Sequence, residues 1–180
     1  IRATDHIKEM IVLIERLLEK GVAYKASDGI YMSIGKVKDY GLLAHLKHNT
    51  SIESASTDRS RIANDEYDKA DPHDFALWKF MTDEDGDASW EASFGKGRPG
   101  WHIECSAMAM KALGETIDIH TGGMDLIFPH HTNEIAQSES ATGKKFVNCW
   151  VHGAFVTFSD EKMAKSKGNI VKLETLEDEM

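Results

Sequence analysis

Residues 97–138, GRPGWHIECSAMAMKALGETIDIHTGGMDLIFPHHTNEIAQS, decide the fold of this chain. Residues 103–113 carry a helical pattern that Gly114 is suited to end. The short β-branched run Ile117-Asp118-Ile119-His120 is followed by Gly122 and Gly123. It predicts a buried strand whose closing turn lets a ligand approach the backbone. Leu126-Ile127-Phe128 leads into Pro129, a favoured first-turn residue, which predicts a helix running through about Ser140. Residues 146–151 predict a second buried strand. Alternating strands and helices of this kind build an open parallel sheet, so the fold class is α/β.

Working outward, residues 5–20 predict an amphipathic helix. Ile7, Met10, Ile11, Ile14, Leu17 and Leu18 recur at helical spacing, Thr4 or Asp5 can cap the start, and Gly21 suits the end. Residues 22–25 and 30–33 are β-prone and flank Ser27-Asp28-Gly29, which predicts a hairpin. Residues 45–74 are polar and aperiodic, and predict a long loop or irregular insert. Phe75-Ala76-Leu77-Trp78 is a compact apolar return, with Trp78, Phe80 and Trp90 expected to pack locally. Gly95, Gly97, Pro99 and Gly100 predict a tight loop before Trp101.

With 180 residues, 41% hydrophobic and 28% charged, the chain has the composition of a globular protein with one core-bearing domain. No apolar run reaches membrane-spanning length, and the N-terminus lacks a signal-peptide layout, so no membrane role is expected. The formal charge of −9, with acidity gathered in 64–74, 82–87 and 174–179, argues against these residues forming a principal nucleic-acid grip. The two cysteines, Cys105 and Cys149, make no disulfide framework and suit a reducing, cytoplasmic compartment.

Residues four apart on a helix share a face, so His130 and Glu134 can address one ion. The fold can bring Cys105 to the same place, and a Cys/His/Glu set suits zinc. His131 is a rival ligand, three residues before Glu134. Cys149, inside an apolar strand, is read as a small buried hydrophobe.

GRPGWHIECSAMAM, DIHTGGMDLIFPHHTNEIAQS and KMAKSKGN (162–169), in this order and spacing, closely resemble the cysteinyl-tRNA synthetases, which are class I aminoacyl-tRNA synthetases. RATDHIKEMIVLIERLLEKGVAY and DFALWK resemble the same family, with residues 45–70 and 170–180 matching least. The resemblance implies a zinc site at Cys105, His130 and Glu134, whose fourth ligand in the family is a cysteine near the enzyme's N-terminus. Nothing before Ile1 supplies that cysteine or the His-Ile-Gly-His type ATP motif, so the chain is expected to be a fragment. The resemblance implies that the parts not represented are the first half of the nucleotide-binding fold and the anticodon-binding region. On this reading residues 1–20 are a helix of the catalytic fold, 21–92 the connective insertion, 93–160 the second half of the Rossmann-like domain with the zinc site, and 161–180 the mobile loop and its continuation.

The resemblance further implies cysteine–tRNA ligation, with cysteine, ATP (with Mg2+) and tRNA(Cys) as partners and a monomeric full-length enzyme. Zinc would separate cysteine from serine, because an open zinc site prefers a thiolate to a neutral hydroxyl. Trp101 would form a wall of the cysteine pocket, Asp125 would pair with the substrate ammonium, and His120 would line the same pocket. Gly122 and Gly123 would let adenosine approach the strand ends, and Lys165 and Lys162 would neutralise the developing phosphate charge. Two departures stand out: Thr121 where the family has a third glycine, and Ala164 where Lys-Met-Ser-Lys-Ser has serine. Rival readings are the homologous cysteine ligase of mycothiol biosynthesis and a non-catalytic zinc-binding module. A zinc hydrolase is a poorer fit, since no His-Glu-x-x-His motif occurs.

Overall fold

A computed structural model describes residues 1–46, 73–158, 161–163 and 168–171. The chain opens with a short 3-10 turn, Ala3–Asp5, and then α1 (Ile7–Glu19). Ile7, Met10, Leu13, Ile14 and Leu17 bury the apolar face that the sequence pattern outlines. The helix starts two residues later than the pattern suggests. Neither Thr4 nor Asp5 caps it, because the 3-10 turn takes up both and His6 occupies the capping position without a side-chain bond. At the other end Gly21 adopts φ +66, the left-handed geometry that turns the chain out of the helix.

The antiparallel sheet has the order β1-β2-β3-β4. The expected hairpin is β1 (Ala23–Lys25) with β2 (Gly29–Met32), and Phe75-Ala76-Leu77-Trp78 opens β3 (Phe75–Phe80). Trp78 is fully buried and meets Phe94 edge-on at 5.5 Å. Phe80 and Trp90 pack partly buried against the same core, which α1 covers. Lys79, buried in the sheet, donates to Tyr31 Oη at 2.9 Å and pairs with Asp28 Oδ2 at 3.0 Å, so its charge has a partner.

The expected tight loop at Gly95–Gly100 is corrected by the structure: Gly97–Pro99 is β4, paired antiparallel with β3. Proline is tolerated because β4 is an edge strand. The glycines mark close approach and not a turn. A Cβ on Gly97 would collide with the Lys79 carbonyl and the Trp78 indole nitrogen, and one on Gly100 with the Ala76 carbonyl.

Beyond β4 come α2 (Trp101–Leu113), β5 (Ile117–Gly123), α3 (Thr132–Thr142) and β6 (Val147–Gly153). β5 and β6 pair in parallel, as the strand–helix–strand pattern requires. The α/β class therefore stands, as a parallel pair beside an antiparallel sheet. The second helix does not begin at Pro129. Phe128 is extended (φ −137, ψ 132), as a residue before proline favours. An irregular turn over Ile127–His131 then precedes regular α3.

The parallel register pairs His120 with Trp150 and Gly122 with His152 on one face, and Ile119 with Cys149 and Thr121 with Val151 on the other. That second face is open: Ile119 is 62% and Val151 51% exposed, and Cys149 is exposed too. Neither strand is buried throughout, and Cys149 is not the buried hydrophobe its apolar neighbours suggested. β7 (Thr157–Phe158) and β8 (Glu161–Lys162) form an antiparallel hairpin. Most of the polar stretch 45–74 lies outside the described residues. No helix among the described residues is long and apolar enough to cross a membrane.

Gly97→Ala should cost about 2–4 kcal/mol in urea unfolding, because backbone and an indole must move. Gly35→Ala, where a Cβ meets nothing within 4 Å, should change stability by less than about 0.5 kcal/mol. Equal midpoints for the two variants would contradict the close approach of β4 to β3.

Candidate metal centre

The centre stands where α2 crosses α3. Gln137 and Ser138 of α3 and Ser106 of α2 are fully buried between them. Gln137 Nε2 donates to Ser106 Oγ and to the His102 carbonyl, both at 2.6 Å, and Ser138 Oγ donates to Ser106 Oγ at 3.0 Å. Serines on facing turns let the helices approach while their hydroxyls are satisfied. This seam sets Cys105, next to Ser106, opposite the start of α3, where His130 and Glu134 lie on one face.

Donor atoms of Cys105, His130 and Glu134 lie within 4.8 Å of one another, and so do those of His120, His131 and Glu134. Glu134 belongs to both groups and has no solvent exposure. Its Oε1 is 2.7 Å from His130 Nε2 and its Oε2 is 3.6 Å from His120 Nε2. The shorter approach is not aligned as a hydrogen bond, and among the described residues neither carboxylate oxygen has a hydrogen-bond partner. A buried carboxylate with no donor calls for a cation. The thiol, imidazole and carboxylate around it match the donor preferences of zinc. The residues present therefore fit the ion that the sequence motif implies.

Burial, then the negative charges of Glu134 and Glu104, push the Cys105 thiol up to about 11. A nearby cation reverses that balance, since a coordinated thiol loses its proton. Burial also favours the neutral form of three histidines, His102, His131 and His152. His102 is lowered to about 3 by burial and by His130. His131 is lowered to about 3 by burial and by His120, His152 and His130, with Asp125 opposing. Burial and His120 also lower His152. Neutral imidazoles keep a lone pair for a metal or a hydrogen bond.

Aromatic rings line the rest of the site. The Trp101 ring, half exposed, lies 4.4 Å from that of His130. Trp150 stacks within 4.7 Å of His120 and 4.8 Å of His131, and His131 Nδ1 is 2.7 Å from His152 Nε2. Gly122 makes room for this layer: a Cβ there would fall 2.5 Å from His131 Cε1. One on Gly123 would collide with Asp125 Oδ1, since exposed Asp125 folds back against that glycine. The structure thus gathers Trp101, Cys105, His120, Gly122, His130 and Glu134, with Gly123 and Asp125 at the rim. For Lys162 it describes only the backbone, in β8, and Lys165 lies outside the described residues.

Sequence reasoning missed His102 and His152. The available signal was clustering: His102, His120, His130, His131 and His152 are five of nine histidines, all within one α/β segment.

Over residues 1–179 the chain matches the family described as tRNA synthetases class I (C) catalytic domain. It is 53% identical over 176 residues to a cysteine–tRNA ligase of Brachyspira hyodysenteriae, covering 98% of this chain and 36% of the relative. A cysteine–tRNA ligase of Protochlamydia amoebophila is 53% identical over 97% of the chain and 36% of that relative. One from Methanococcus maripaludis is 50% identical over 99% of the chain and 36% of that relative. The chain thus spans little more than a third of the length of the curated relatives it matches.

Gly122→Ala should force the His131 ring off its perch and cost about 1–3 kcal/mol. Gly153→Ala, where a Cβ meets nothing within 4 Å, is the control and should unfold like the parent. Matching urea midpoints would show that His131 does not depend on this clearance.

Proposed function

This chain belongs to the class I tRNA synthetase (C) catalytic-domain family, and we propose that the whole protein is a cysteine–tRNA ligase. It activates cysteine with ATP and transfers the cysteinyl group to tRNA(Cys). The supporting observation is the buried Glu134 carboxylate, unpartnered in hydrogen bonding and set between the Cys105 thiol and the His130 imidazole. Zinc, when bound, supplies an open coordination position that favours a substrate thiolate over a hydroxyl of nearly equal size.

Cys105, His130 and Glu134 hold the ion in this reading. The His120/His131/Glu134 group is less suited to it, because it lacks a thiolate and His131 Nδ1 already faces His152. Trp101, lying against His130, walls the cysteine side chain and excludes water. His120 lines the floor, and Asp125 at the rim takes the substrate ammonium. The substrate carboxylate then attacks the α-phosphate of ATP, with pyrophosphate leaving. That step asks for positioning and charge more than covalent help from the protein. Lys165 and Lys162 supply positive charge to the phosphates, Mg2+ accompanies ATP, and Gly122 and Gly123 keep the strand ends low beneath the adenosine. Residues 21–92 act as a connective insertion and 93–160 as the half-domain that carries the zinc site. A reducing, cytoplasmic setting keeps Cys105 and the exposed Cys149 as thiols.

Two substitutions in the full-length protein test this reading. Cys105→Ser should lower both zinc stoichiometry and cysteine-dependent ATP–pyrophosphate exchange; full zinc content in that variant would remove Cys105 from the ligand set. Lys165→Ala should slow exchange by at least about tenfold, a loss of some 1.4 kcal/mol of transition-state stabilisation, with zinc retained. An unchanged exchange rate would remove Lys165 from the phosphate site.

A further inference from the structure

We propose that His102 is the positioning residue of the metal centre, holding His130 in the tautomer and orientation that ligation needs. This inference rests on the zinc reading above and extends it to a residue with no role there.

The geometry begins with His130, whose Nε2 faces Glu134 Oε1 at 2.7 Å. On the zinc reading that nitrogen is the one turned toward the ion, and it must present a lone pair. A neutral imidazole with a lone pair on Nε2 carries its hydrogen on Nδ1. Nδ1 of His130 lies 2.9 Å from Nδ1 of His102. Two ring nitrogens this close share one hydrogen, so with His130 as donor His102 Nδ1 is the acceptor. A metal-bound histidine ordinarily gives its remote N–H to such a partner, usually a carboxylate, a backbone carbonyl or water. Here another imidazole fills that place.

His102 is built to stay put. Phe75 meets its ring edge-on at 5.5 Å, the Trp101 ring lies 5.4 Å away on one side, and Gln137 holds its backbone carbonyl at 2.6 Å. The Gln137 bond also belongs to the seam joining α2 and α3, so one side chain sets both the helix crossing and the acceptor for His130. His102 precedes Cys105 by three residues on α2, and a single helix thus delivers a ligand and the support for another. Trp101, on the same turn, lies against His130 from a second direction.

The test uses the zinc-loaded full-length protein with variants His102→Asn and His102→Leu. The asparagine Oδ1 can take the place of Nδ1 as acceptor, whereas leucine keeps bulk without one. Zinc affinity measured by chelator competition should fall about 10–100-fold for His102→Leu and stay within a few-fold of wild type for His102→Asn. Wild-type affinity in His102→Leu, or equal loss in both variants, would overturn the proposal, the second outcome marking His102 as packing alone. Nitrogen-15 histidine NMR of the unmutated protein supplies an arm that no folding defect can confuse. It should place a hydrogen on Nδ1 of His130 and none on Nδ1 of His102; the reverse placement overturns the assignment. If the wild-type protein binds no zinc, the metal reading fails and this inference with it. If it binds zinc and His102→Leu is unaffected, only the role of His102 fails.

Discussion

A carboxylate stripped of water and offered no hydrogen-bond donor is the constraint on which this structure turns. Glu134 has no exposed surface, and its two oxygens face imidazole nitrogens that are close without being aligned. Holding such a charge in the interior costs several kcal/mol unless a positive partner sits beside it. In the proposed reading, that partner is a cation on which the thiol, the imidazole and the carboxylate converge. The helix crossing, its seam of buried polar residues and the late start of α3 are the features that bring these three side chains together.

The seam makes the convergence reproducible. Leucine at position 106 would separate the helices and carry Cys105 away from His130. Serine there lets Gln137 and Ser138 reach across, and the bonds allow one register. Leucine-rich packing would tolerate sliding, whereas buried polar groups are expensive when mismatched. The apolar core lies under α1 and the antiparallel sheet and takes in Ile103 and Ala107 of α2 and Ala136 and Ala141 of α3, so these helices are polar along the seam and apolar beside it. Stability is drawn from that core, and the metal corner is left free to be polar.

Much of this was legible in the sequence. The apolar stripe of α1 follows from periodicity, the hairpin around Asp28 from β-prone runs beside a turn, and α2 and α3 from their glycine and proline boundaries, while the family resemblance joined Cys105 to the His130–Glu134 pair. What failed did so for identifiable reasons. Gly97 and Pro99 carry turn chemistry in any one-dimensional reading, but here glycine serves close approach and proline an unpaired edge. Cys149 sits among apolar neighbours, yet a strand's pattern cannot say whether both faces are covered, and this one is exposed. Pro129 marks a turn before the helix and not its first residue, because Phe128 is held extended. His102 escaped notice because its partner is 28 residues away on another element, and a contact between rings leaves no periodic trace.

Glu134 also ties the metal corner to the rest of the cleft. One oxygen addresses His130, and the other turns toward His120, which stacks on Trp150. Trp150 in turn lies nearly parallel to His152 at 5.9 Å, and His152 meets His131. Both oxygens belong to one carboxylate, so a rotation that brings one nearer Cys105 also moves the other relative to His120. The rings of His120, His131, Trp150 and His152 are joined in turn by close contact and by one hydrogen bond. The parallel strands hold this layer on their inner face, and the glycine at position 122 gives the His131 ring its place. Through Glu134 the corner formed with Cys105 and His130 and the ring layer beneath the strand ends share one side chain.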